Sequence, residues 1–240
     1  MITKFGCGNY GMGDLILLTS ICKHFPNQFT IEIQKSMERF SIFFDKLANV
    51  EIVNDMTYDE LLRKGNHLKD IGRGHYSTRK LRNFFGSKAD LLDNKPLILY
   101  TDMESELWVE NYLKNKPNPL IVAPMCSIGA KDIRGMKEDL AQNLIENLKA
   151  NEYTPILCLS SSYEFKCNTE YTLKDLCIKK YICLLRKVGL YYGVNTGDFH
   201  LAVSVGAIAN VFQPESDPKN FIPEEWCYSH PSIKYYTIKS

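Results

Sequence analysis

Near its N-terminus the chain carries a glycine-rich run that ends in a carboxylate, Gly6-Cys7-Gly8-Asn9-Tyr10-Gly11-Met12-Gly13-Asp14. Glycines let a backbone approach a ligand closely, and the N–H groups of a helix start attract anions. Gly6-x-Gly8-x-x-Gly11 matches the dinucleotide fingerprint. The acid that should follow at the end of the second strand is missing: Glu32 lies inside the strand, and Gln34-Lys35 come next. A tight structural turn is the competing account of the loop. Asp14 reads as a helix N-cap and also as a general base that can take a proton from an attacking hydroxyl.

Two later loops have the same character. Met125-Cys126-Ser127-Ile128-Gly129-Ala130-Lys131 follows an apolar run. Ligands of parallel α/β sheets bind beyond the carboxyl ends of strands. Ser127 can hydrogen-bond a phosphate and Lys131 can neutralise it, or Lys131 is an ordinary solvated lysine. Asn195-Thr196-Gly197-Asp198-Phe199-His200 joins a second apolar run to an apolar helix. Its N–H groups would point at an anion, with the Thr196 hydroxyl beside them. His200 falls in the first helical turn, where a core histidine bonded to backbone is the competing account.

Several signatures are absent. The sequence holds no Asp-x-Asp to clamp a divalent cation on a diphosphate, no phosphate-loop lysine motif and no Gly-x-Ser-x-Gly. If a diphosphate leaves here, lysine and helix dipoles must stabilise it. The eight cysteines form no Cys-x-x-Cys pair and no zinc spacing, and several sit in apolar runs, so they read as buried reduced thiols. The start lacks the long apolar core of a signal peptide, and no run reaches membrane-spanning length. A reducing cytoplasm is the expected setting. Twenty-nine basic residues face 28 acidic ones in 240, a balance that excludes a strong overall pull toward nucleic acid or anionic lipid.

The elements that must position these loops alternate. Ile2–Phe5 reads as a strand, Asp14–His24 as a helix ended by Pro26, Phe29–Ile33 as a strand, Met37–Leu47 as a helix and Val50–Val53 as a strand. That is the pattern of a parallel sheet. Residues 59–92 read as a more polar helical stretch with the basic segment His75…Arg79-Lys80-Leu81-Arg82, and Glu104–Leu113 as another helix. Lys114–Pro119 reads as a linker. The pattern then restarts: strand Leu120–Ala123, helix Lys137–Ala150 with Leu140, Leu144 and Leu148 on one face, and strand Pro155–Leu159. A helical region at Thr172–Arg186, strand Leu190–Val194, a helix over Leu201–Val205 and a last strand Ala209–Phe212 follow. The proline-rich tail from Gln213 reads as loop. Two Rossmann-like halves are expected, 1–115 and 120–240.

These segments, in this order, resemble the ADP-heptose:lipopolysaccharide heptosyltransferases of glycosyltransferase family nine. Gly11-Met12-Gly13-Asp14…Thr19 with Phe25-Pro26 is similar to the family's N-terminal signature, His75…Arg79-Lys80-Leu81-Arg82 to its acceptor-side basic segment, and Ala123-Pro124-Met125-Cys126-Ser127…Lys131 to its phosphate loop. Asn195-Thr196-Gly197-x-x-His200-Leu201-Ala202 resembles its Asp-Thr-Gly-x-x-His-Leu-Ala motif, and Val211-Phe212-Gln213-Pro214…Pro218 its closing segment. The resemblance implies a GT-B fold, two Rossmann-like parallel-sheet domains facing a cleft, and inverting sugar transfer from a nucleotide-sugar donor without metal or cofactor. It implies Asp14 as the base. Ser127, Lys131, Glu164 (toward the ribose), Asn195, Thr196, Gly197 and His200 would be on the donor side. Gly11, Gly13, Arg79 and Arg82 would be on the acceptor side.

Three departures stand out. Asn195 replaces the family's donor-sugar aspartate, Arg134-Gly135-Met136 replaces the tryptophan expected after the phosphate lysine, and the chain is short for the family. A different sugar and an acceptor other than lipopolysaccharide fit these departures. The acceptor would be an acidic or phosphorylated glycan or a modified nucleic-acid base. Other readings stay open: a protein that binds a nucleotide sugar without transferring it, a nucleotide-sugar epimerase on the same fold, and, from the first glycine loop alone, an NAD-dependent oxidoreductase.

Overall fold

The computed structural model describes residues 3–7, 12–24, 29–55, 99, 101–125, 135–160, 165–167, 169–214 and 232–238. The chain divides into two compact units, built mainly from Met1–Tyr100 and from Thr101–Ile222.

In the first unit, β1 (Thr3–Cys7), β2 (Phe29–Gln34) and β3 (Asn49–Val53) form a parallel sheet in the order β1-β2-β3. Phe5 stands opposite Ile31, and Ile31 opposite Val50. Helix α1 (Met12–His24) connects β1 to β2. Its buried positions, Leu15, Ile16, Thr19 and Cys22, recur at helical spacing and so share one face. The helix begins before Asp14, which is therefore its third residue and not its N-cap; Gly13, buried within the first turn, extends the packed face by a step. Burial pushes the Cys22 thiol up to about 12, which makes it inert.

The segment after β2 winds as a 3-10 helix, Lys35–Phe44, where an α-helix over Met37–Leu47 is expected from sequence. Three-residue winding stacks Phe40 on Phe43, with ring centroids 5.6 Å apart, and buries both together with Phe44.

The second unit is a six-stranded parallel sheet. Its strands are β4 (Pro119–Ala123), β5 (Thr154–Leu159), β6 (Tyr171–Lys174), β7 (Leu190–Val194), β8 (Ile208–Pro214) and β9 (Ile233–Ile238), in the order β6-β5-β4-β7-β8-β9. The helices are α2 (Met103–Leu113), α3 (Glu138–Ala150), α4 (Ile178–Val188) and α5 (Gly197–Ser204). Leu120, Ile121, Val122 and Ala123 are all buried, as a central strand covered on both faces requires. On one face Ile145 and Leu148 of α3 pack with Leu120, Val122, Met125, Leu157 and Leu159. The expected stripe of α3 is rotated slightly: Ala141, Ile145 and Leu148 are buried, while Leu140 and Leu144 are partly buried beside them.

Two strands lie where sequence reading has none. Tyr171–Lys174, expected within a helical region, is the short edge strand β6, with half-buried and exposed residues alternating along it. Helix α4 starts only at Ile178 and ends at Gly189, whose φ of 68° suits a residue without a Cβ. Ile233–Ile238, in the tail expected to be loop, is β9, paired with β8 from Ala209↔Ile233 to Pro214↔Ile238. Its Tyr, Thr and Ile residues are strand formers. The thiols also divide: Cys22 and Cys183 are buried, Cys158 and Cys167 partly so, and Cys177 is exposed against expectation.

Helix α2 opens at Asp102, whose carboxylate accepts a hydrogen bond from the Ser105 backbone N–H at 2.9 Å and pairs with Lys179 at 2.9 Å. Both contacts hold the Asp102 carboxyl well below the usual range. A group lowered in this way stabilises the fold above its unfolded value of 3.8 and ceases to do so as pH falls through the folded value. Asp102→Ala is therefore expected to lower the melting temperature at pH 7, with the gap to wild type closing as the solution is acidified. A gap that stays constant on acidification would show that the charge contributes nothing.

Candidate functional site

The strand order of the second unit creates a switch point. From β4 the chain builds outward through β5 to β6, then returns to β7 on the other side of β4 and builds outward through β8 to β9. Connections that diverge from two adjacent strands leave a crevice beyond their carboxyl ends, and ligands bind there. β4 and β7 are those strands, paired through Ala123↔Gly193. Their carboxyl ends lead into the two loops singled out from sequence, the Met125–Lys131 stretch and Asn195-Thr196-Gly197.

Of these, Asn195–Gly197 is described. Asn195 is only 6% exposed, and neither its Oδ1 nor its Nδ2 has a hydrogen-bond partner. A buried amide left without partners costs on the order of 1–3 kcal/mol. Such a cost at the mouth of a crevice marks a place where a ligand supplies the missing bonds. Thr196 occupies the N-cap of α5 with extended backbone, yet its side chain makes no cap hydrogen bond and its Oγ1 is buried without a partner. The first backbone bond of the helix runs from the His200 N–H to the Thr196 carbonyl at 3.2 Å, so the N-cap side chain leaves the N–H groups of Gly197, Asp198 and Phe199 uncapped. An anion with hydroxyl groups fits this combination of donors.

The floor beneath this turn is polar. Tyr191 is fully buried, and its hydroxyl donates to the Val194 carbonyl at 3.3 Å. The ring lies along its own strand over Gly193: a Cβ there would meet the Tyr191 Oη at 2.4 Å and the Ala123 carbonyl oxygen at 2.5 Å. The missing side chain at 193 thus lets a tyrosine hydroxyl reach the end of β7. Asp198, the second residue of α5, turns its carboxyl into the same layer. Burial pushes it up to about 6, against the pull of the Tyr181 and Thr196 hydroxyls beside it. Neither hydroxyl completes a hydrogen bond of regular geometry. The Asp198 charge in turn helps make Tyr181, Tyr191 and Cys158 weaker acids, in each case after burial itself.

His200 is 7% exposed within a helix buried from Phe199 to Ser204, its ring centroid 5.1 Å from that of Phe199. In the first unit Gly13 and Asp14 are the second and third residues of α1. Gly11, Arg79, Arg82, Ser127, Lys131 and Glu164 lie outside the described residues. Sequence reading missed Tyr181, Tyr191, Cys158 and Asp198. The one visible signal was an aspartate, Asp198, immediately before the mostly apolar run Phe199–Val203. Among the described residues no group of His, Cys, Asp or Glu is arranged to hold a metal ion, and no helix is long and apolar enough to cross a membrane.

No family model matches the sequence, and no curated protein does. Solved structures do match. A glycosyl transferase family 9 structure from Veillonella parvula superposes with a TM-score of 0.66 over 100% of this chain and 87% of its own, at 10% identity. The ADP-heptose lps heptosyltransferase II of E. coli gives 0.58 over 98% and 90%, at 12% identity. The heptosyltransferase TibC, solved in complex with ADP-D-beta-D-heptose, gives 0.53 over 92% of this chain and 61% of its own, at 14% identity. Identities this low speak for the fold alone. The order of the strands, the two units and these likenesses agree: this chain has the α/β fold of the GT-B glycosyltransferases of family 9.

Proposed function

We propose that this protein transfers a sugar from a nucleotide-sugar donor to an acceptor hydroxyl by inverting displacement. The observation that carries the reading is Asn195, buried at the switch point with both amide atoms unpartnered beside a helix start that its own N-cap side chain leaves uncapped. Thr196 and the N–H groups from Gly197 onward would hold the diphosphate, and Asn195 the sugar. Asparagine offers a donor and an acceptor but no charge, which favours a sugar other than the one an aspartate would select. Ser127 and Lys131, carried over from the family resemblance, would bind the phosphates, Glu164 the ribose, and His200 would complete the donor side. Lysine and helix N–H groups take up the departing charge, without a metal, since the sequence has no Asp-x-Asp.

Asp14 would deprotonate the acceptor hydroxyl as it attacks the anomeric carbon, which breaks the bond to the diphosphate. Gly11, Gly13, Arg79 and Arg82 belong to the acceptor side in this reading, the arginines suiting an acidic glycan or a modified base. A second reading, donor binding without transfer, rests on the same Asn195 in the place of the family's aspartate.

The test is thermal stability against ADP-, UDP-, GDP- and CMP-sugars, with NAD as control. One nucleotide class at about a hundredfold its Kd is expected to add roughly 2.7 kcal/mol. Asn195→Ala is expected to weaken that class about tenfold, or about 1.4 kcal/mol, while the unliganded protein loses no stability, because it sheds two unmet polar atoms. A shift with NAD only, or with nothing, would sink the proposal. Donor hydrolysis or transfer that Asp14→Ala abolishes would separate the transferase from the mere binder.

A further inference from the structure

We infer that Gln213 acts with Asn195 to read a hydroxyl group of the transferred sugar. The inference rests on the nucleotide-sugar reading of the site and adds a residue that selects the sugar. Strands β7 and β8 run side by side as far as the pair Val194↔Phe212. Asn195 is the next residue after the one, and Gln213 the next after the other, so the two amides leave neighbouring strands at the same level of the carboxyl edge. Neighbouring strands lie about 4.8 Å apart.

The strand itself sets the direction of Gln213. A residue before proline is held extended, as Pro214 holds Gln213, and side chains alternate along an extended strand. Phe212 stacks between Tyr192 and Tyr236, with ring centroids 6.4 and 5.4 Å away, on one face of the sheet. Gln213 therefore shares the other face with Val211 and with Tyr235, which stands opposite Val211. That is the face α5 covers, because Phe199 of α5 meets the Tyr235 ring edge-on at 6.2 Å. Gln213 thus belongs to the side of the sheet on which α5 begins, directly after Asn195 and Thr196.

Both amides carry unmet hydrogen-bonding groups there. The Gln213 Nε2 is buried without a partner, as are Oδ1 and Nδ2 of Asn195, itself only 6% exposed. The acceptor on Asn195 and the donor on Gln213 do not bond each other. A group that satisfies both must donate to the Asn195 Oδ1 and accept from the Gln213 Nε2. A phosphate diester can only accept, whereas a hydroxyl does both. In the proposed reading the helix N–H groups hold the phosphates and Asn195 the sugar, so the bridging hydroxyl belongs to the sugar.

Calorimetric titration with matched pairs tests this: ADP and ADP-glucose, UDP and UDP-glucose, GDP and GDP-mannose, CMP and CMP-N-acetylneuraminate. Wild type is expected to bind one nucleotide sugar more tightly than its bare nucleotide. Gln213→Ala should weaken that nucleotide sugar about tenfold and leave the bare nucleotide unchanged. Gln213→Met keeps the length and cannot donate; it should behave alike, and it serves if Gln213→Ala does not fold. Because one hydroxyl serves both amides, Asn195→Ala with Gln213→Ala should lose clearly less than the product of the single losses. Equal weakening of nucleotide and nucleotide sugar, no weakening of either, or single losses that simply multiply would overturn the inference alone. No binding of any pair by wild type would overturn the nucleotide-sugar reading and this inference together.

Discussion

Asp198→Asn makes the protein more stable at pH 8 and leaves it nearly unchanged at pH 4. The carboxyl is raised from 3.8 to about 6 by burial, against the pull of two neighbouring hydroxyls. A raised acid penalises the fold when ionised. Below the unfolded value both states are protonated and no penalty exists. Between the two values the folded state holds its proton while the unfolded one releases it, and above the folded value the full cost applies. At about 1.36 kcal/mol per pKa unit, a shift of this size corresponds to roughly 2–3 kcal/mol. Asparagine has nearly the same shape and never ionises, so it escapes the cost. Denaturant unfolding of both proteins at pH 4, 6 and 8 measures it. A stability difference that does not grow with pH would mean that packing or hydrogen bonding, and not charge, governs this position. A natural sequence that keeps a costly acid here sacrifices stability where function has a use for it.

The second expectation concerns β7. Gly193→Ala should destabilise the second unit by about 3 kcal/mol. The added methyl would stand 2.4 Å from the Tyr191 Oη, 2.5 Å from the Ala123 carbonyl oxygen and 2.7 Å from the Tyr191 Cζ. A tyrosine ring can tilt, but Ala123 is backbone of the central neighbouring strand, paired with Gly193 itself, and cannot yield without breaking that pairing. Tyr191→Phe in the same chain removes the closest contact only, so it should restore a minor part of the loss. The denaturation midpoint should fall with an unchanged slope. A loss under about 0.5 kcal/mol would show that the strands separate more easily than two parallel neighbours in a covered sheet should.

The likeness to family 9 structures and the buried amide of Asn195 bear on different questions. The first speaks for the architecture, and the second for what the switch point can hold. They come together only in the proposed transfer, which the nucleotide-sugar screen tests without assuming either the sugar or the acceptor.

Local pattern determined a good part of this molecule. The alternation in Phe29–Gln34, the apolar run Leu120–Ala123 and the helical spacing from Glu138 to Ala150 each encode their element through side-chain period, and each element forms at the expected place. The turn Asn195–Gly197 was also legible, because glycine, a hydroxyl and an amide between two apolar runs have few other uses. Where local signal was weak or shared, reading failed. Tyr171–Lys174 is four residues long and half exposed at a sheet edge, so its alternation was too short to mark it off from a helix. The β-prone residues of Ile233–Ile238 were overshadowed by the prolines before them. The three phenylalanines of Lys35–Phe44 fit α and 3-10 winding alike until packing selected between them.

Tertiary structure alone decided the order of the strands. Nothing within β4 or β7 says that they lie side by side, since a parallel pair is joined through a long crossover and its register is set by what covers both faces. From that order follows the switch point, and from the switch point the meaning of Asn195. The same holds for the layer beneath it: Cys158, Tyr181, Tyr191 and Asp198 come from four separate elements, and Asp198 helps weaken the acidity of the other three. Sequence determines which groups a chain carries and the local winding around them. Desolvation and proximity, which set what those groups do, exist only once the distant segments have packed.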